Sequence, residues 1–167
     1  MLLKKLIKNL SKDKHNISIK GLASNSKKVK KNYIFFAING NKLNGEKYID
    51  EAIKNGAIII VCAKNCKFKT KNKKIYVIKT SNIRYFLSEI SSKFYKLKPK
   101  NIIAVTGTNG KTSVTDFFYQ ILDINNIPVA SIGTLGIRYR KKFIKTNLTS
   151  PDVITLHQNL EKLKKNK

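Results

Sequence analysis

Residues Gly107-Thr108-Asn109-Gly110-Lys111-Thr112-Ser113 form the one short segment whose types and spacing, taken together, could hold a polyphosphate. Two glycines let backbone amides approach a ligand with no side chain between. Lys111 can reach the β- and γ-phosphates, and the Thr112 hydroxyl can ligate Mg2+. The segment lies between a short apolar run, Asn101 to Thr106, and a helical pattern from Lys111 to Ile124, so its amides would converge on an anion at a helix N-terminus. Lys111 is the candidate catalytic residue, Gly107 through Ser113 are the candidate ATP contacts, and Thr112 is the candidate metal ligand. The general pattern Gly-x4-Gly-Lys-Thr would place its first glycine where this chain has Val105, so the glycine spacing here is shorter.

The flanking pattern predicts the elements that would carry this loop. Asn101 to Thr106 has the length and β-branched content of a buried strand, and Val129 to Ile132 reads as the next strand after the helix. Strand, loop, helix and strand in that order open a doubly wound parallel sheet. Val153 to Leu163 reads as a further helix, with Ile154, Leu156, Leu160 and Leu163 apolar and Pro151 near its start. Such a sheet needs more strands, so this domain is expected to be only the first part of a larger one.

Upstream, Tyr33 to Ile38, Ala57 to Cys62 and Ile75 to Ile78 have strand length and turn residues around them. Glu46 to Lys54 places Tyr48, Ile49, Ala52 and Ile53 on one helical face and stops at Asn55-Gly56. Ser81 is the expected N-cap of a longer helix, in which Ile83, Phe86, Leu87, Ile90 and Phe94 recur at helical spacing. Lys98-Pro99-Lys100 interrupts the pattern, since proline cannot continue a helical ladder and disfavours helix in the residue before it. The expected organisation is a small α/β domain over residues 1–98 and the start of a phosphate-loop α/β domain over 99–167.

Composition sets the partners. At 167 residues and 41% hydrophobic content the chain can build a core. No apolar run reaches the roughly 18 residues a membrane helix needs, and Lys4, Lys5 and Lys8 break the start too early for a secretory signal, so a soluble, cytoplasmic protein is expected. A net charge of +26 would suit a polyanion. The arginines, however, are Arg84, Arg138 and Arg140 alone, while lysine and asparagine are spread through every segment. Nucleic-acid readers concentrate arginine, so a basic nucleic-acid-binding module is the lesser alternative. Cys62 and Cys66 lack a second pair, and His15 and His157 are remote from them, which is no zinc pattern. Both cysteines are expected to be reduced and buried. His157, inside a helix with no evident partner, reads as a packing or surface histidine.

Thr106 through Ser113 resembles the phosphate loop of the Mur ligases, the peptidoglycan-building enzymes, which use this shorter glycine pattern. Ile19 to Val29, Ile34 to Gly40 and Asn44 to Ile49 resemble that family's uridine-nucleotide domain. Ile132-Gly133-Thr134-Leu135-Gly136 and Leu148 to Asp152, followed by Thr155-Leu156-His157, look most like the members that add the third amino acid. The resemblance implies an ATP- and Mg2+-dependent ligase. It would join meso-diaminopimelate or L-lysine to UDP-N-acetylmuramoyl-L-alanyl-D-glutamate through an acyl phosphate, and it is expected to be monomeric.

The same resemblance assigns Ser24 and Ser26 to the uridine nucleotide, with Asn41, Lys42 and Leu43 in a loop closing on it. It assigns Thr149 and Ser150 to the muramoyl dipeptide. Read from the residues alone, Ser24 and Ser26 are also ordinary turn formers, and Thr149 or Ser150 could cap the helix that follows Pro151. The family's carboxylated lysine, acidic metal ligand and amino-acid-binding domain are expected outside residues 1–167. The chain alone would then be inactive, or be completed by a separately encoded second half. The family member adding D-alanyl-D-alanine is the nearer alternative.

Overall fold

The computed structural model describes residues 1–8, 11, 14–40, 44–145 and 151–166. The chain divides into two compact units, Met1–Phe94 and Tyr95–Lys167.

In the first unit four strands, β1 (Gly21–Ala23), β2 (Tyr33–Phe36), β3 (Ala57–Ala63) and β4 (Tyr76–Thr80), form one sheet in the order β1-β2-β3-β4. Every pairing is parallel, with Phe35 opposite Ile60 and Ile60 opposite Val77. A sheet covered on both faces needs strands that are apolar throughout rather than alternating. The β3 run Ala57-Ile58-Ile59-Ile60-Val61-Cys62-Ala63 is such a strand, with Ile59 through Cys62 fully buried. Helix α1 (Ile49–Lys54) packs Ile49 and Ala52 with Phe35, Ile60 and Cys62 on one face. Helix α2 (Ile83–Phe94) lies against the other, where the Phe36 and Phe86 rings stand 6.5 Å apart.

The expected helix over residues 46–54 is split, a 3-10 turn over Gly45–Tyr48 leading into α1. Its stop is as expected: Gly56 takes φ +106°, and an added Cβ there would meet the Lys31 backbone at 2.7 Å. The cap of α2 is Asn82, whose Oδ1 accepts from the Tyr85 amide at 2.9 Å, and not Ser81. The amide side chain one residue later reaches the third amide of the helix, which is the geometry a cap requires. Strand β1 carried too little apolar length to be read in advance.

In the second unit helix α3 (Lys111–Ile124) has the expected bounds, and α4 (Val153–Lys165) begins where expected and runs past the expected end at Leu163; its cap is Asp152, where the sequence had offered Thr149 or Ser150. The Asp152 carboxylate accepts from the Thr155 amide at 3.0 Å. Strands β5 (Ala130–Gly133), β6 (Gly136–Tyr139) and β7 (Lys142–Ile144) form an antiparallel meander. The strand expected over 101–106 is not formed: no described strand lies beside it, and Ile102 and Ile103 are exposed. A β-strand exists through ladder partners, and without them its amides stay with solvent. Among the described residues the parallel sheet is therefore that of the first unit, and the sheet of the second unit is antiparallel.

Candidate functional site

The candidate phosphate loop, residues 107–113, owes its shape to two glycines with positive φ, +151° at Gly107 and +77° at Gly110. Gly110 is the N-cap of α3 in the left-handed region, where it supplies no side chain to cap the helix, and nothing lies within 4 Å of where a Cβ would stand. The first-turn amides of α3 thus keep their capacity for an external acceptor, on the positive end of a 14-residue helix. Lys111 folds back over the loop: its Nζ donates to the Gly107 carbonyl and, at 3.0 Å, to the Thr108 carbonyl. A phosphate entering the loop would meet this ammonium already in place. The donor set of amides, one ammonium and the Thr112 hydroxyl suits a polyphosphate with Mg2+, to which these residues would give the Thr112 hydroxyl as a ligand. Among the described residues no group of three or more His, Cys, Asp or Glu side chains is placed to hold a metal ion.

Beside the loop lies a cavity of about 130 Å³, walled by Val105, Lys111, Thr112, Asp116, Arg138 and the Ile132–Gly136 turn. Asp116 and Arg138 form an ion pair across it, the Arg138 guanidinium stacks 4.5 Å from the Tyr119 ring, and Gln120 donates to the second Asp116 oxygen at 2.7 Å. Asp116 is therefore occupied as a bridge between α3 and the β5–β6 hairpin. Sequence reasoning missed this pair. The i, i+4 spacing from Thr112 to Asp116 places both on one helix face and was the available signal for half of it. Arg138 arrives only through the hairpin.

In the first unit Asn25 caps the 3-10 turn Ser26–Lys28, its Oδ1 accepting from the Lys27 amide at 2.9 Å. Ser24 is exposed, but Ser26 is buried, its Oγ donating to Glu51 Oε2 at 2.7 Å while its carbonyl accepts from Asn55 Nδ2 at 2.9 Å. Glu51 and Asn55 of α1 thus hold the turn, a pairing across 25 and 29 residues that no local pattern announces. Asn41, Lys42, Leu43, Thr149 and Ser150 lie outside the described residues.

Cys62 and Cys66 are free thiols, both buried; burial and the hydrogen bond to Cys66 push the Cys62 thiol up to about 12, which suits packing and not nucleophilic chemistry. His157 is a packing residue of α4: its Nδ1 is buried without a partner, and burial and the neighbouring Lys98 charge hold its imidazole below the usual range. No helix among the described residues is long and apolar enough to cross a membrane.

Comparison with known proteins bears on both units. Residues 18–95 match the model "Mur ligase family, catalytic domain", and residues 105–167 match "Mur ligase middle domain". A UDP-N-acetylmuramoyl-L-alanyl-D-glutamate--2,6-diaminopimelate ligase 2 of Clostridium acetobutylicum is 35% identical over 169 residues, covering 96% of this chain and 35% of its own. The corresponding ligase of Zymomonas mobilis is 38% identical over 146 residues, covering 87% of this chain and 29% of its own. A solved structure of a ligase of that name superposes with a TM-score of 0.78 at 21% identity, over 99% of this chain and 34% of that one, a likeness of fold. The chain spans about a third of the length of the curated relatives it matches. With two models of one family matching in sequence order across most of its residues, the chain belongs to the Mur ligase family.

Proposed function

We propose that these residues form the nucleotide-gripping front of an ATP-dependent amide ligase of peptidoglycan precursor synthesis. In this reading residues 1–98 are the uridine-nucleotide domain and 99–167 the first part of the ATP domain. The substrate is UDP-N-acetylmuramoyl-L-alanyl-D-glutamate and the amine added is 2,6-diaminopimelate, the amine in the names of the relatives. The compartment is the cytoplasm, with which the reduced Cys62 and Cys66 agree.

The observation that carries the ATP half is the uncapped, left-handed Gly110 at the head of α3 with Lys111 folded over the loop. ATP would supply the phosphoryl group that activates the substrate carboxylate. Lys111 would neutralise charge on the terminal phosphates, the amides of 107–113 would orient them, and Thr112 would give one oxygen to Mg2+. Ser24, Ser26 and the 41–43 loop would hold the uridine nucleotide, with Thr149 and Ser150 on the dipeptide.

Calorimetry with MgATP tests the loop. Binding by the 167-residue chain, weakened about ten- to a hundredfold by Lys111→Ala as charge-assisted hydrogen bonds are lost, is the expected result. Absence of heat at millimolar MgATP would refute it. Calorimetry with UDP-N-acetylmuramoyl-L-alanyl-D-glutamate tests the first unit in the same way.

A further inference from the structure

The Ser26 hydroxyl has one proton and two lone pairs. That proton is committed, since Oγ donates to the Glu51 carboxylate at 2.7 Å. What remains on Ser26 for a ligand is a lone pair. The residue is 5% exposed, and turning the proton outward would break the 2.7 Å hydrogen bond to Glu51, so the hydroxyl keeps its proton inward. A phosphate oxygen finds no donor there, and it meets the negative charge of Glu51 directly behind. The cations available to a pyrophosphate are instead the exposed Lys27 and Lys28 of the same turn.

We infer that Glu51 is a specificity-determining residue of the nucleotide subsite: by holding the Ser26 proton it makes Ser26 an acceptor that takes an N–H of the ligand's base. The inference rests on the reading of the first unit as a uridine-nucleotide domain. Uracil carries a proton on N3 and fits; cytosine presents a bare N3 acceptor, which would face the Ser26 lone pair. Glu51 acts through Ser26 and touches no ligand itself, so it is a positioning residue.

The test is calorimetry of the whole chain with UDP, CDP and N3-methyl-UDP, on wild type, Glu51→Gln and Ser26→Ala, with thermal melts to show that each variant is folded. Wild type is expected to prefer UDP over both other probes by about tenfold, the worth of one hydrogen bond exchanged for an unmatched pair. Glu51→Gln keeps the shape, but its amide can donate to Ser26 and release the serine proton, so the UDP preference should fall below about threefold. Ser26→Ala should abolish the preference and serves as the second arm should Glu51→Gln not fold. Equal UDP and CDP affinities in wild type overturn the proposal, as does a preference unchanged in folded variants. A gain in UDP affinity on Glu51→Gln would put the pyrophosphate at Ser26 and overturn it too. Failure of wild type to bind any uridine nucleotide is a different outcome, which removes the uridine reading of the first unit.

Discussion

The two units treat their apolar residues in opposite ways. In the first, Ile34, Phe36, Ile59, Ile60 and Val61 are all at 0% exposure, and each sheet face has a helix over it. In the second, α3 has one buried residue, Tyr119, while Phe117, Ile121 and Ile124 stand 60% exposed or more. Local helix signals are equally good in both. What differs is the number of neighbouring strands: four parallel strands give α1 and α2 a surface to cover, whereas the meander β5–β7 meets α3 at its Asp116 and Tyr119 side. Helical order thus comes from within the segment, but burial comes from what else is present. The phosphate loop belongs to the less buried unit, and its shape survives because glycine dihedrals and the Lys111 contacts to Gly107 and Thr108 are local.

The sharpest way to break this contrast is a cavity in the first core. Ile60→Ala should cost about 2–5 kcal/mol, read as a shift in the urea midpoint of the first unit, because three carbons leave a fully buried site between α1 and the sheet. A loss below about 1 kcal/mol would mean that this core is no better closed than its neighbour.

A smaller effect is expected from pH in the second unit. The native imidazole of His157 binds its proton less readily than the unfolded one, so the unfolded state holds more protons below the ordinary histidine range. Stability should therefore be complete above about pH 6.5 and decline as pH falls through the lower native value. His157→Leu should flatten that decline. Stability of the second unit that rises on acidification in this window would contradict the sign.

The smallest change is expected on the open face of α3. Phe117→Ser with Ile121→Ser should alter the unfolding free energy of the chain by no more than about 0.5 kcal/mol per site, since neither side chain is buried, while reducing self-association in sedimentation. A loss of more than about 2 kcal/mol would show these residues packed after all and erase the difference between the units.

Much of the site was legible locally. The bounds of α3 and the position of the loop follow from glycines, a lysine and a 3.6-residue pattern within some twenty residues, and β2, β3, β4 and α2 follow from short apolar runs between turn residues. The hairpin β6–β7 was not legible, because its turn places Arg140 and Lys141 at φ 45° and 60° with none of the glycine or asparagine that normally marks such a turn. Ser81 and Asn82 are both capping types one residue apart, and only the placement of the Tyr85 amide chooses between them.

The amino-acid sequence by itself determined the phosphate loop, the helix it opens and the family resemblance, because each rests on residues close together in the chain. Tertiary structure decided which polar groups are already spoken for. Ser26 is bound to Glu51, Asp116 to Arg138, and residues 101–106 have no ladder partner among the described residues. Those facts depend on long-range pairing, which side-chain type permits but does not specify.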